Sequence, residues 1–198
     1  KLIDLENNNI FNELDYSIKL KEVQDAISKL KKNKATGLDG ICNEMLKCSS
    51  QPVVNLIVKI FNTVLLTGRY PQIWNQGYVS AIHKSKCTLD PNNYRCLTIN
   101  SSFGKLFNSV LNKRLNDFLI KYNIIQPCQI GFQSNKRTSD HIYTLSTVVR
   151  KYTKLYKKKI YACFVDLRKA FDKVWHAGLL YKLKMINVGN KFYNVIKC

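Results

Sequence analysis

The chain has 198 residues, of which 45% are hydrophobic, 11% aromatic and 23% charged. That composition excludes disordered, collagenous and linker proteins and suits one globular domain with a sizeable core, or one domain with a small appendage. Its 32 Lys and Arg against 13 Asp and Glu give a net charge of +19 at pH 7, and residues 31–198 hold 28 of the bases but only 7 of the acids. A body this basic calls for a polyanionic partner, nucleic acid first, or else carries only a solvated lysine-rich surface.

Residues 1–19, polar and containing Asn7-Asn8-Asn9, are expected to form a lead-in to the folded body. Leu20, Val23, Ile27 and Leu30 recur at helical spacing and predict an amphipathic helix running into Lys31-Lys32-Asn33-Lys34. Two glycines flank an aspartate in Thr36-Gly37-Leu38-Asp39-Gly40, which reads as a turn. The apolar run over 53–66 predicts a buried helix stopped by Gly68 and Pro71. Short β-branched runs at 78–84 and 95–99, joined by a polar loop containing Pro91, predict a hairpin. Phe103 to Leu119 forms a long helical stripe, a further helix is expected near 139–155, residues 160–166 alternate as a strand, and 178–185 return to helix. This irregular mixture, without internal repeats, predicts an α+β fold rather than a regular βαβ series. The chain starts at Lys1 and stops at Cys198 within a helical pattern, so both ends read as cut from a longer protein.

Seven scattered cysteines without a CxxC pair read as reduced, mostly buried side chains of an intracellular protein, cytoplasmic or nuclear. His83-x3-Cys87 followed by Cys96 lacks a fourth ligand at zinc-site spacing. Neither a signal-peptide core nor an apolar run of the ~20 residues a membrane span needs is present, so no membrane partner is expected. Trp74 and Trp175 read as core anchors. His141 and His176 have no Ser or Cys partner in an arrangement that suggests a nucleophilic triad.

Two places concentrate chemistry. The first is Ala162-Cys163-Phe164-Val165-Asp166-Leu167, a strand pattern delivering Asp166 at its end, with Asp172 six residues on. A strand-end carboxylate either coordinates a hard divalent cation or caps the turn that follows. The second is Ile82-His83-Lys84 facing Tyr94-Arg95-Cys96 across the hairpin. Paired strands bring Lys84 and Arg95 to one face, where they form a triphosphate clamp or remain two solvated cations. Lys154, Lys157, Lys158 and Lys159, interleaved with Tyr152, Tyr156 and Tyr161, suit a phosphate backbone and stacked bases, or a solvated loop with half-core aromatics.

The order Gly37-Leu38-Asp39-Gly40-Ile41, Ile82-His83-Lys84 with Asn93-Tyr94-Arg95, Gly104-Lys105-Leu106 with Lys113-Arg114-Leu115, Gln129-Ile130-Gly131-Phe132, then Phe164-Val165-Asp166-Leu167 with Lys169-Ala170-Phe171-Asp172, resembles reverse transcriptases of non-LTR, LINE-type, jockey-like retrotransposons. The resemblance runs from about residue 20 to the end. It implies a partial reverse transcriptase domain over 20–198, with 20–155 mainly fingers and 156–198 the start of the palm of a right-hand polymerase. Such a domain is helix-rich, with short β-hairpins and an incomplete palm sheet whose unpaired edge lowers solubility.

Roles follow from the same likeness. Asp166 would be the first catalytic carboxylate and, with the Leu167 backbone, a contact for Mg2+ or Mn2+. Ala170 and Phe171 would lie under the sugar of the incoming dNTP, the Phe171 ring excluding a 2′-hydroxyl. Lys84 and Arg95 would hold the nucleotide phosphates, and Gln129, Gly131 and Phe132 would lie near the RNA template. With Lys157, Lys158 and Lys159 added for nucleic acid, the implied ligands are an RNA template, a DNA primer and dNTP.

Leu38 and Cys96 stand where the family usually has Pro, and Gln133 where it has Arg. The family also carries an aromatic-x-Asp-Asp hairpin downstream, whereas here no two acids are adjacent and 26 residues follow Asp172. One carboxylate cannot organise two cations about 4 Å apart, so these residues alone are expected to be catalytically silent. The alternative is a non-catalytic basic RNA-binding module.

Overall fold

A computed structural model describes residues 11–85, 87–167 and 170–198. The first ten residues of the expected lead-in and Lys169 of the Asp166 motif lie outside the described residues. In chain order the elements are a 3-10 turn (Asn12–Asp15), α1 (Leu20–Ser28), α2 (Asn43–Lys47), α3 (Gln51–Thr67), α4 (Gln72–Asn75), β1 (Gly77–His83), β2 (Tyr94–Asn100), α5 (Ser102–Lys121), α6 (Thr138–Arg150), α7 (His176–Met185) and α8 (Asn190–Lys197). The chain divides into two units, Lys1–Phe118 with Ala177–Cys198, and Leu119–His176. It is an α+β, helix-rich fold whose described residues contain one antiparallel hairpin. No described helix is long and apolar enough to cross a membrane.

The first unit holds the core. Val54, Ile57, Phe61, Val64 and Leu65 of α3 fall on one helical face and are buried. Gly68 ends the helix at φ 66°, donating its N–H to Val64 O at 2.9 Å, a left-handed cap that glycine adopts without steric cost. Opposite lie Leu106, Phe107, Val110 and Leu111 of α5 and Val23, Ala26 and Ile27 of α1. The Phe61 ring stands 5.0 Å from Phe107, 5.9 Å from Phe103 and 6.0 Å from Trp74, confirming Trp74 as a core anchor. A Cβ on Gly104 would lie 2.9 Å from that of Trp74, so α5 approaches the tryptophan only because residue 104 lacks one.

Two expectations for this unit are corrected. Residues 11–19 are no lead-in, since Leu14 and Ile18 are buried. The Asn62 side chain holds Ile18 at both main-chain atoms, accepting from its N–H at 2.6 Å and donating to its O at 3.0 Å. Asp15 Oδ1 accepts from Phe192 N–H at 2.7 Å near the start of α8, where a carboxylate suits the positive helix end. Helix α1 stops at Ser28 rather than continuing towards Lys34. The Ser28 hydroxyl turns back to Asp25 O at 2.8 Å, and Lys47 Nζ donates to Ser28 O and Leu30 O at 2.8 and 2.7 Å, serving carbonyls beyond the reach of the helix ladder.

In the second unit α6 passes directly into a π-helical turn, Lys151–Leu155, and neither contains a buried residue. Residues 160–167 are not a strand. Alternation supplies two faces but no pairing partner, and none of the described residues forms a ladder with them. Trp175 is 77% exposed rather than a core anchor, because no core surrounds it. The cysteines also differ from expectation: Cys42 is half-buried and the other six are exposed.

Candidate nucleic-acid interface

The hairpin pairs Ile82 with Arg95 and His83 with Tyr94, and Lys84 N–H donates to Asn93 O at 2.8 Å, carrying the ladder one residue past β1. Side chains two apart on a strand share a face, and so do directly paired residues. Ile82, Lys84, Asn93 and Arg95 therefore share one, with Lys84 diagonal to Arg95. Both cations are exposed, and neither has a carboxylate partner among the described residues. In the connecting loop Asp90 Oδ1 accepts from Asn92 N–H at 2.9 Å, Asn93 Nδ2 donates to Cys87 O at 2.8 Å and the Tyr94 hydroxyl to Thr88 O at 2.9 Å.

The Gly37 to Ile41 motif fixes the other end of this hairpin. Ser101, fully buried where β2 passes into α5, donates its hydroxyl to Asp39 Oδ2 at 2.5 Å and accepts the N–H groups of Phe103 and Gly104 at 3.1 and 3.2 Å. It is the N-cap of α5. Asp39 Oδ1 accepts from Ile41 N–H at 3.2 Å, so the carboxylate ties the turn to the cap. Gly37 packs so closely that a Cβ there would lie 2.6 Å from Ser101 N and 2.7 Å from its Cα. Sequence reading missed this junction, although Ser ahead of a periodic apolar run is an N-cap signature.

Arg114, quoted in the resemblance, is occupied within the protein. Its guanidinium grips Glu22 with Nε on Oε1 at 2.7 Å and Nη2 on Oε2 at 2.8 Å. It also donates to the carbonyls of Leu14, Tyr16 and Ser17 at 3.2, 2.5 and 3.0 Å. Burial pushes the Glu22 carboxyl up, but the hydrogen bonds from Arg114 and the Lys19 N–H, with the Arg114 charge, outweigh it and hold the carboxyl below its usual range.

The remaining nominated residues lie in the second unit. Gln129 Nε2 makes a long contact to Gly131 O at 3.4 Å, and Phe132 sits at φ 61°, an uncommon conformation for a bulky side chain. The rings of Phe132 and Phe171 meet edge to face at 6.4 Å while remaining 91% and 80% exposed. This unit thus brings together one residue nominated for the template and one for the nucleotide sugar. Asp166, Leu167 and Ala170 are exposed, as are Lys157, Lys158 and Lys159. Among the described residues no group of three or more His, Cys, Asp or Glu converges. Hard divalent cations take six or more oxygen ligands, several from the protein, so the donors present do not by themselves fit a two-cation centre.

Residues 82–198 match the family model described as reverse transcriptase (RNA-dependent DNA polymerase). The chain is 31% identical over 183 residues to the probable RNA-directed DNA polymerase from transposon BS of Drosophila melanogaster, covering 91% of this chain and 20% of that protein. Against the RNA-directed DNA polymerase from mobile element jockey of the same species it is 32% identical over 173 residues, 86% of this chain and 19% of the relative. A retrovirus-related Pol polyprotein from type-1 retrotransposable element R2 of Nasonia vitripennis is 25% identical over 153 residues, 77% of this chain and 14% of that protein. The chain spans about a fifth of the length of the first two relatives.

Proposed function

Because the chain belongs to the reverse transcriptase family and is homologous to the polymerases of non-LTR, LINE-type elements, we propose that it is the fingers, mainly residues 20–155, and the start of the palm, residues 156–198, of a right-hand RNA-directed DNA polymerase. Lys84 and Arg95 hold the triphosphate of an incoming dNTP, the Lys as a point charge and the Arg as a fork. Ala170 and Phe171 lie under the sugar, and the Phe171 ring excludes a 2′-hydroxyl. Gln129, Gly131 and Phe132 border the RNA template, and Asp166 supplies one of several carboxylates that the whole polymerase needs.

The observation that carries this reading is the hairpin register. It sets two cations without carboxylate partners on one face, inside the span that matches the family. Nucleotidyl transfer rests on positioning and charge neutralisation, which that arrangement serves. The second reading, a basic RNA-binding module without catalysis, is favoured by the lysine-rich segment 151–159 and is compatible with the first.

Joining the chain to the sequence that follows it in its parent protein is expected to give RNA-templated primer extension that Asp166→Ala abolishes. Retained extension in that variant removes Asp166 from the chemistry. The 198 residues alone are expected to extend no primer, and metal-dependent dNTP incorporation by them overturns the reading.

A further inference from the structure

Between Asp140 and Asp166 the sequence has no acid and six bases, Arg150, Lys151, Lys154, Lys157, Lys158 and Lys159. The structure gathers most of these around one feature. As α6 widens into the π turn, Tyr156 N–H reaches back five residues to Lys151 O at 3.1 Å and Lys158 N–H six residues to Tyr152 O at 2.9 Å. Lys157, between them, takes φ 52°, a left-handed position that Gly or Asn fills at lower strain. These two bonds occupy the Lys151 and Tyr152 carbonyls, and Lys157, Lys158 and Lys159 follow the end of the helix, all exposed.

The same winding brings two aromatic rings together. Tyr152 and Tyr156, four residues apart, meet edge to face at 5.5 Å, each close to half exposed, and Lys151 Nζ lies 5.7 Å from the Tyr156 ring centre. None of Lys151, Lys154, Lys157, Lys158 or Lys159 has a carboxylate partner among the described residues. Accessible rings flanked by uncompensated lysines match what a single strand offers, π faces on its bases and one phosphate per nucleotide. Leu145, Val148 and Leu155 are exposed on the same winding, so the site offers apolar surface beside its rings, and a duplex hides its base faces in the stack.

We propose that the π turn is a single-strand nucleic-acid site, Tyr152 and Tyr156 stacking on unpaired bases while Lys154, Lys157, Lys158 and Lys159 hold the adjoining phosphates. The polymerase reading is needed only to say which strand, template or primer, occupies it.

The purified 198-residue chain, titrated with fluorescein-labelled 20-nucleotide oligouridylate at several salt concentrations, tests the site by anisotropy. Replacing Lys157, Lys158 and Lys159 by Gln is expected to flatten the plot of log affinity against log salt by about 2, at about 0.7 per phosphate contact. Replacing Lys21, Lys29 and Lys34 by Gln should leave the slope unchanged. Tyr152→Leu with Tyr156→Leu is expected to weaken binding at least about fivefold without changing the slope, whereas the double Phe variant binds as the parent does, since stacking needs the ring and not the hydroxyl. A base-paired duplex of equal length should be insensitive to the tyrosine changes. Absence of binding, an equal slope loss in the two lysine triples, or undiminished affinity in the double Leu variant each overturns the proposal. Primer extension by the lengthened polymerase is a separate measurement, so a failed polymerase reading and a failed binding site give different results.

Discussion

Removing the Arg114 guanidinium should cost the first unit more than any other single charge. The side chain is only 11% exposed and its Glu22 partner 25%, and three main-chain carbonyls share the same donors. In Arg114→Ala the Glu22 carboxylate remains partly buried without its fork, and the segment through Leu14, Tyr16 and Ser17 loses its anchor. Breaking a buried pair costs about 3–5 kcal/mol. Partial exposure of Glu22 puts this variant near the lower end, about 3 kcal/mol, or roughly 6–12 °C in Tm for a unit of this size. Lys113→Ala is the comparison, since Lys113 lies 4.0 Å from Asp25 with both side chains about half exposed, and it should lose less than about 0.5 kcal/mol.

The assay is urea unfolding followed by Trp74 fluorescence in a Trp175→Phe background, so that the buried indole reports the first unit alone. Acid adds a second signature. Glu22 is held below its ordinary value in the folded state, so its contribution is complete above the unfolded carboxyl pKa of about 4.3 and disappears as pH falls through the lower folded value. The parent should therefore lose stability on that acid limb, and Arg114→Ala, having already lost the pairing, should lose less over the same range. A loss under about 1 kcal/mol at neutral pH, or an unchanged acid limb in the variant, refutes the anchoring role.

Gly37→Ala should destabilise the first unit by about 2 kcal/mol, because the added methyl meets main chain that cannot rotate away, while Gly131→Ala, with open space around it, should stay within about 0.5 kcal/mol. Equal effects at the two glycines in the same urea titration would count against the close approach. Ser101→Ala removes the N-cap acceptor and a partner of Asp39, at about 1–2 kcal/mol, and an unaltered midpoint would show that α5 is capped otherwise. A thiol-reactive dye should modify six cysteines rapidly in native buffer and Cys42 more slowly, and a smaller fast phase would mean that the exposed set is covered.

What could be read in advance was what short-range pattern encodes. The apolar period of 53–66 with Gly68 and Pro71 behind it located α3 within two residues, and two β-branched runs around Pro91 located the hairpin. Lys84 and Arg95 were legible for the same reason, since pairing two strands of period two decides which side chains share a face. Partners that are main-chain atoms leave no such mark. Nothing in Leu14, Tyr16 and Ser17 announces that their carbonyls receive one arginine nearly a hundred residues away. Residues 160–166 failed differently, because alternation describes a half-buried strand only where another strand is present to pair with it.

The acids explain why the positive charge remains available to a ligand. Asp15 receives an N–H of α8, Glu22 receives Arg114, and Asp39 joins the Ser101 cap to its own turn. Glu44 accepts from Asn33 N–H, Asp90 closes the hairpin loop, and Asp140 receives Arg137 N–H at the start of α6. Of these carboxylates, one engages a basic side chain and the others serve N–H groups or hydroxyls. A carboxylate held by neutral donors keeps its charge, so the net +19 stands, but it is not drawn into a pair with a particular lysine. Lys84, Arg95 and the lysines of 151–159 are among the cations left over, and they are the ones the proposed nucleotide and single-strand sites require.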